Sequence, residues 1–347
     1  MAVPAFLAKL RFESSIAYRV EWRKGEDNMA FIEFQFPSAN GQDTVWGWKV
    51  TPLGVPKAAV QLIHGYGEHS RRYLHMALAF AEAGFAVYAD DHIGHGKTGF
   101  LANRLGDPCA KTFEDYTKDE LTLFALMEKE LPDTPKFVLG QSWGSMLARD
   151  IAPQIGDKLC GLLLTGVVAD LPRGEQILSD PNFLADLADH PHGANSGWFD
   201  SIFQGMLDRF GENAAAEGKW IAVDPRILEN DATDPFSCYQ TCMELCRDFL
   251  QLHVKLETMA WVNGLPATLP VYLMGGSDDP CGNFGAGIYK IADALQSRGN
   301  PVSIRIWEGW RHEVQNEPPI KCQVEEELIA YMENCIDRSE RKEGETL

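Results

Sequence analysis

The sequence predicts an α/β fold with a mostly parallel central sheet, and three observations support this prediction. Short apolar runs typical of buried strands alternate with longer amphipathic segments typical of helices over most of the 347 residues. Strands that alternate with helices pair in parallel through right-handed crossovers. The alternation stops at residue 168 and resumes after residue 266, which indicates an insertion between strands of one sheet.

The elements follow in a regular order after two opening strands, residues 31–36 and 45–50, which are expected to pair antiparallel across a turn. The charged residues 337–347 are expected to form a loose tail. We expect further strands at residues 58–63, 85–89, 136–139, 162–164, 270–274 and 302–307, and helices at residues 73–83, 113–131, 145–155, 288–297 and 322–336.

The interrupted alternation divides the chain into a core, formed by residues 1–167 and 267–347, and a helical cap at residues 168–266. The cap contains many large apolar residues, among them Trp198 and Phe203. Insertions of this kind lie over the carboxyl ends of the strands, where α/β proteins bind ligands. We therefore expect the cap to shape a substrate pocket, and Trp198 and Phe203 to contact the substrate.

Composition and charge exclude several classes of function. The net charge of −19 disfavours nucleic acid and anionic membranes as partners and fits a neutral or cationic small molecule. No apolar run is long enough to be a transmembrane segment, and residues 1–9 lack the basic region of a signal peptide. We therefore expect a cytoplasmic protein whose eight cysteines are free thiols.

Two groups of potential metal ligands occur in the sequence. Cys238, Cys242 and Cys246 are spaced at intervals of four residues on a predicted helix, and His92 and His95 lie close together in a loop. The cysteines form no paired C-x-x-C motif, and the two histidines have no evident third ligand. The sequence therefore predicts no metal site and no cofactor.

The strongest functional motif is G-Q-S-W-G at residues 140–144, which follows a predicted strand and begins a predicted helix. In this context the G-x-S-x-G pattern is typical of the nucleophile elbow of α/β-hydrolases, where the serine hydroxyl projects above the sheet on a strained turn. Glycine is needed two residues before and after the serine because a Cβ would clash there. The motif predicts Ser142 as a nucleophile.

A serine nucleophile needs a base, and in this fold an acid and then a histidine follow the serine along the chain. Of the nine histidines, only His312 follows both Ser142 and the last acidic loop. That loop contains Asp278 and Asp279, and we favour Asp279 because the proline after it holds its backbone extended. The predicted catalytic triad is therefore Ser142, Asp279 and His312.

An oxyanion hole requires two preorganised N–H groups. One is expected from Trp143, the residue after the nucleophile. The other is expected from Tyr66, in the H-G-Y-G loop that follows the predicted strand at residues 58–63.

Five segments resemble, in the same order, the motifs of monoacylglycerol lipases and bacterial lysophospholipases. They are the H-G-x-x-E-H-x-x-R-Y segment at residues 64–73, the D-x-R-G-H-G-x-S loop at 91–98, the elbow at 140–144, and the acid and histidine loops at 276–280 and 309–313. The resemblance extends over residues 31–166 and 265–335. Ile93, Gln141 and Trp143 depart from it, because the family usually has arginine, histidine and methionine there.

This resemblance implies a hydrolase that cleaves a small-molecule ester, such as a monoacylglycerol, a lysophospholipid or a simpler ester, through an acyl-enzyme. Because the indole of Trp143 is bulky, we expect a preference for short or medium acyl chains. Two alternatives remain. An aminopeptidase of the same fold would need a cap carboxylate, such as Asp186, Asp189 or Glu212, to bind a free α-amine. A ligand-binding module would keep the fold without turnover.

Overall fold

A computed structural model describes residues 30–345, except residues 216 and 239. The predicted lack of a signal peptide concerns residues 1–9 and lies outside the described residues. The chain forms one eight-stranded sheet in the order β1-β2-β4-β3-β5-β6-β7-β8. The strands are β1 (Ala30–Pro37), β2 (Thr44–Thr51), β3 (Ala58–Ile63), β4 (Phe85–Asp91), β5 (Lys136–Gln141), β6 (Leu159–Thr165), β7 (Val271–Gly276) and β8 (Val302–Trp307).

The sheet is mostly parallel, as the alternating pattern predicted. Strand β2 pairs antiparallel with both β1 and β4, and all remaining neighbours pair in parallel. Strands β3, β4, β5 and β7 are buried along their whole length. Burial along the whole strand reflects a sheet that is covered on both faces.

Helices cover the two faces of the sheet with separate apolar layers. One layer contains Leu123, Leu147 and Ile291, and the other contains Phe80 and Leu328. The helices are α1 (Leu74–Glu82), α2 (Gly96–Leu101), α3 (Glu114–Glu130), α4 (Trp143–Ile155), α5 (Gly174–Leu178), α6 (Pro181–Asp189), α7 (Trp198–Ser201), α8 (Pro225–Thr233), α9 (Met243–Glu257), α10 (Ala260–Asn263), α11 (Ala286–Ser297) and α12 (Lys321–Glu345).

The segment between β6 and β7 contains helices α5 to α10 and, within its described residues, no strand of the sheet. Helices α6 and α8 each begin with a proline that follows an N-cap aspartate. The side chain of Asp180 accepts the N–H of Asn182, and that of Asp224 accepts the N–H of Arg226. This is a favourable start for a helix. Helix α9 contacts both α4 and α5 and thereby anchors the inserted segment on the core.

Two sequence-based expectations about helices are wrong. Helix α12 continues to Glu345, so residues 337–345 are helical rather than loose. Good helix formers there are supported by an Asp337–Arg341 pair one turn apart, at 4.0 Å. Cys238 lies outside the helix that carries Cys246, because α9 begins at Met243 and Cys242 is its N-cap. None of the helices in the described part of the chain has both the length and the apolarity of a membrane span.

Candidate active site

Ser142 lies on the sharp turn between β5 and α4. Its backbone angles, φ 55° and ψ −123°, fall in a region that non-glycine residues rarely adopt. A Cβ at Gly140 would lie 2.2 Å from the carbonyl oxygen of Gly144, and one at Gly144 would lie 2.1 Å from that of Ile63. Both glycines are therefore required by close backbone approach, and the turn presents the serine at the carboxyl end of the sheet.

His312 and Asp279 lie on the loops after β8 and β7, and both side chains are buried. The Nδ1 atom of His312 lies 3.0 Å from each carboxylate oxygen of Asp279. Because Nδ1 faces a carboxylate, it carries a hydrogen, and Nε2 is left with a lone pair in the neutral ring. Among the described residues Nε2 has no hydrogen-bond partner, and His312 and Ser142 line the same cavity.

Opposing effects act on the pKa of this histidine. Burial by itself lowers the pKa of His312, but the charge of Asp279, the hydrogen bond to it and the neighbouring Cys281 together outweigh burial and raise the pKa well above its usual value. Asp278 faces away, with Oδ1 3.3 Å from Nη2 of Arg209. The structure thus brings Asp279, and not Asp278, to the imidazole.

The loop after β3 passes directly against the nucleophile. A Cβ at Gly65 would lie 2.9 Å from Cβ and 3.3 Å from Oγ of Ser142. The neighbouring N–H of Tyr66 has no acceptor in the described part of the chain. Trp143 is the first residue of α4, so its N–H has no partner within the helix. Both amides predicted for an oxyanion hole therefore lie beside Ser142.

A buried arginine network holds this loop, and none of its members was predicted to have a role. The guanidinium of Arg72 contacts Glu68 at 3.1 Å, Asp231 at 2.8 Å and Glu313 at 2.6 Å. Glu68 also accepts the N–H of Gly65 at 2.5 Å. The network therefore joins the Tyr66 loop, helix α8 and the residue after His312. The signal that could have revealed it is the H-G-x-x-E-H-x-x-R-Y segment, which contains Glu68 and Arg72.

Burial sets the protonation of this network. It raises the pKa of Glu68 to about 7, with a further contribution from the charge of Glu313 and an opposing one from Arg72. Burial and the charge of Glu313 therefore oppose ionisation of Glu68, whereas Arg72 favours it.

A cavity of about 590 Å³ lies above Ser142 and His312. One part of its wall is aromatic and is formed by Phe199, Phe203, Trp220 and Phe249. Another part is acidic, and no lysine or arginine is present among the described lining residues. The acidic residues of the wall are Glu68, Asp200, Glu217, Asp231 and Glu313.

The structure places the two predicted cap residues differently. Phe203 lines the cavity, whereas Trp198 does not. The indole Nε1 of Trp198 donates to Asp186 at 2.8 Å, and its ring packs on Phe183. These contacts turn Trp198 toward helix α6. The next residue, Phe199, takes the position at the cavity and stacks on Tyr66 with ring centroids 4.2 Å apart.

The side chain of Trp143 also faces away from the cavity. Its indole is fully buried and packs against Tyr116, His92 and His95, under the ring of Tyr66. The expectation that this indole narrows an acyl pocket is therefore wrong. Helix α4 is buried nearly all round, and its first side chain packs into the core.

The three carboxylates considered for binding a free amine, those of Asp186, Asp189 and Glu212, do not line the cavity. Asp186 is already bonded to Trp198. These positions give no support to the aminopeptidase alternative.

Three groups of potential metal ligands come together within residues 30–345. One, Asp279 with Cys281 and His312, belongs to the candidate active site; burial raises the pKa of Cys281 to about 11, so this residue is a neutral thiol. The second adds Asp90 and Glu120 to His92, without His95. The third, at the surface, contains Asp107, Cys109 and His192.

The chain is similar to several known proteins. Residues 54–319 match the profile of the Hydrolase_4 family, which is described as "Serine aminopeptidase, S33". Human monoglyceride lipase is 26% identical over 278 residues, which are 78% of this chain and 80% of the human protein. A monoacylglycerol lipase of Mycolicibacterium smegmatis is 33% identical over 143 residues, which are 41% of this chain and 49% of that protein.

Among solved structures, a thermostable carboxyl esterase from Bacillus coagulans in complex with glycerol is 36% identical. The alignment covers 89% of this chain and 100% of the esterase, with a TM-score of 0.82. The family profile covers well over half of the chain, and the sheet order, the elbow and the following loops fit the same fold. This chain therefore belongs to the Hydrolase_4 family and is an α/β-hydrolase similar to monoacylglycerol lipases.

Proposed function

We propose that this chain hydrolyses neutral carboxylic esters, monoacylglycerols in particular, through an acyl-enzyme on Ser142. The observation that carries this proposal is the convergence on one cavity of Ser142, on its strained turn, and His312, held by Asp279. Nucleophile, base and orienting acid come from three separate loops at the carboxyl edge of one sheet, as a serine hydrolase requires.

In the acylation step, Oγ of Ser142 attacks the ester carbonyl carbon while Nε2 of His312 takes the hydroxyl proton. The imidazolium that forms is stabilised by the Asp279 carboxylate at 3.0 Å. His312 then returns the proton to the leaving alcohol. A water activated by the same nitrogen cleaves the acyl-enzyme, which releases the acid and restores Ser142.

The negative charge on the carbonyl oxygen would be bound by the N–H groups of Tyr66 and Trp143. Preorganisation of the first amide is supported by the bond from the Gly65 N–H to Glu68, and that of the second by the start of helix α4. Arg72 acts indirectly on the first amide, because it holds the carboxylate of Glu68 in place.

The cavity wall disfavours an anionic substrate. Aromatic side chains can pack on an acyl chain, while the acidic part of the wall can accept hydrogen bonds from hydroxyl groups. A phosphate group would find no lysine or arginine among the described lining residues. We therefore place monoacylglycerols and simple esters ahead of lysophospholipids as substrates.

The relatives named above support esters over amides, since they are lipases and an esterase. The family description names an aminopeptidase, so an aminoacyl amide belongs in any substrate test. A non-catalytic binding module would keep the cavity but would not react with a serine-directed reagent.

The test compares the wild type with Ser142→Ala and, as a matched control, Ser196→Ala, a serine at the cavity wall away from the elbow. We expect fluorophosphonate labelling of the wild type and the control only. The kcat of Ser142→Ala on p-nitrophenyl esters should fall by about 10⁴- to 10⁶-fold, with folding intact. A monoacylglycerol, a lysophospholipid and an aminoacyl amide complete the panel. Retained activity in Ser142→Ala, or faster hydrolysis of the amide, would contradict the proposal.

A further inference from the structure

Four side chains with metal-binding chemistry meet at the surface where the core and the inserted segment touch. Asp107 and Cys109 lie in the loop after α2, His192 lies between α6 and α7, and Cys242 is the N-cap of α9. The Oδ1 atom of Asp107 is at their centre. It lies 3.1 Å from Nδ1 of His192, 3.7 Å from Sγ of Cys109 and 3.8 Å from Sγ of Cys242. We refer to these four residues as the Asp107 cluster.

These separations resemble those between ligands of one tetrahedral zinc ion. Zinc–ligand bonds of 2.0–2.3 Å at tetrahedral angles place an oxygen about 3.4 Å from a nitrogen and about 3.6 Å from a sulfur. The observed distances from the Asp107 oxygen are within about 0.3 Å of these values. The ligand atoms of Asp107, Cys109 and His192 all lie within 4.8 Å of one another, and Sγ of Cys242 lies 3.8 Å from the Asp107 oxygen.

The backbone already holds the three contributing segments together. The N–H of Cys242 donates to the carbonyl of Gly106 at 2.8 Å, and that of Met243 donates to the carbonyl of Gly193 at 3.0 Å. The loop before Asp107 approaches so closely that a Cβ at Gly106 would lie 1.9 Å from the carbonyl oxygen of Gln240. The backbone therefore holds the segments that carry these side chains together, which lowers the cost of ordering them around a cation.

Charge also favours a cation here. Among the described residues, Asp107 forms no ion pair with a lysine or arginine. A divalent cation would bind the two sulfurs as thiolates and release their protons to solvent, which is the usual coupling at such sites.

The cluster is open to solvent on one side. The side chain of His192 is 54% exposed, whereas Cys242 is 3% exposed. An ion can therefore enter past the histidine and reach a largely desolvated sulfur.

We propose that Asp107, Cys109, His192 and Cys242 form a binding site for Zn²⁺ or a similar thiophilic divalent cation that links the core to the inserted segment. The set of two sulfurs, one imidazole and one carboxylate suits zinc. The segments that would be tied down lead directly to Ala194 and Thr241 on the cavity wall. This site goes beyond the proposed function and does not depend on the chemistry of Ser142.

The test uses the full chain with any affinity tag removed. Zinc content is measured by mass spectrometry after growth with zinc, and affinity by competition with a chromophoric chelator. We expect one zinc per chain and a Tm that rises with zinc and falls with EDTA, because a ligand that binds only the folded state stabilises it. Cobalt in place of zinc should give a thiolate-to-metal charge-transfer absorption.

Matched variants assign the ligands. His192→Gln and Cys109→Ser should weaken zinc binding by at least about tenfold and abolish the Tm response, since even outer-shell changes at metal sites cost about 10- to 100-fold. The controls are His190→Gln, an exposed histidine two residues away, and Cys322→Ser, an exposed cysteine outside the cluster. Both controls should bind zinc as the wild type does.

Two results would overturn the proposal. One is the absence of zinc binding and of any Tm response at micromolar zinc. The other is stoichiometric zinc that His192→Gln and Cys109→Ser leave unchanged, which would assign the ion to another group, such as Asp90, His92 and Glu120. Circular dichroism in EDTA identifies a variant that fails to fold, and Cys242→Ser then provides a further ligand variant.

Discussion

Replacing Arg72 with glutamine tests whether the buried network supports both stability and catalysis. The guanidinium contacts three carboxylates, and the side chains of Glu68 and Glu313 are each only 9% exposed. Removal of one partner from a buried ion pair costs about 3–5 kcal/mol, because a desolvated charge is left without compensation. We expect Arg72→Gln to lose free energy of unfolding in this range at pH 8.

The loss should be smaller at acidic pH. Without the guanidinium, the pKa of Glu68, already about 7, rises further in the folded protein while the unfolded value stays the same. The folded variant then binds more protons than its unfolded chain, so its stability falls more steeply as the pH rises. The difference between wild type and Arg72→Gln should therefore be larger at pH 8 than at pH 5.5.

Guanidinium chloride unfolding at both pH values measures this difference, and kcat/KM on a p-nitrophenyl ester at pH 8 measures the effect on catalysis. We expect kcat/KM to fall by about 10- to 100-fold as the Tyr66 amide loses its fixed position. Arg226→Gln is the matched control, because this arginine of α8 is exposed and its ion pair within the described residues is with Asp224. A midpoint for Arg72→Gln equal to that of the control at pH 8 would refute the reasoning.

Three further predictions concern single side chains. Asp279→Asn should lower kcat by up to about 10⁴-fold, and much more than Asp278→Asn, because Asp279 is bonded to His312 whereas Asp278 faces Arg209. Trp143→Met should leave the profile of kcat/KM against acyl length unchanged and should lower the free energy of unfolding by about 1–3 kcal/mol, since its indole packs in the core. Phe203→Ala should instead shift the optimal acyl length toward longer chains, because its ring forms part of the cavity wall. Burial raises the pKa of Glu120 from 4.5 to about 8, so between these pH values the folded state binds a proton that the unfolded chain has lost. The free energy of unfolding should therefore fall as pH rises from 4.5 to 8, and it should fall less in Glu120→Gln.

Each of these predictions has a contradicting outcome. Equal losses of kcat in the two aspartate variants would mean that Asp279 is not the carboxylate that assists His312. A changed acyl-length profile in Trp143→Met would mean that its indole reaches the cavity after all. For the pH dependence, Glu326→Gln at an exposed site is the control. If the free energy of unfolding falls with pH equally steeply in Glu326→Gln and in Glu120→Gln, Glu120 is not the source of the pH dependence.

Much of the fold follows from local patterns in the chain. The strands predicted at residues 58–63 and 302–307 agree with β3 and β8, because their ends coincide with turn residues and changes of periodicity. Helix ends are less well defined by pattern. Polar residues 337–345 carry no apolar face, yet they extend α12, because helix formers can continue a helix that is anchored by its earlier turns.

The candidate triad could be read from the sequence because its signals are local. The G-x-S-x-G spacing is required by backbone contacts within a few residues, and the chain order of serine, acid and histidine sorts the remaining candidates. The proline after Asp279 was enough to separate it from Asp278, and in the structure Asp279 is indeed the carboxylate bonded to His312.

Tertiary structure alone decided which side chains face the cavity and which distant groups meet. Trp198 and Phe199 are adjacent and both aromatic, and only the packing of Trp198 on α6 gives the cavity wall to Phe199. Trp143 turns inward for the same kind of reason. The contact of Arg72 with Glu313 spans 241 residues, and that of Asp107 with His192 spans 85. Spacing rules describe neighbours along the chain, whereas these contacts depend on how separate segments pack. The sequence therefore determined the elbow and the order of the candidate triad. Packing determined the cavity, the arginine network and the Asp107 cluster.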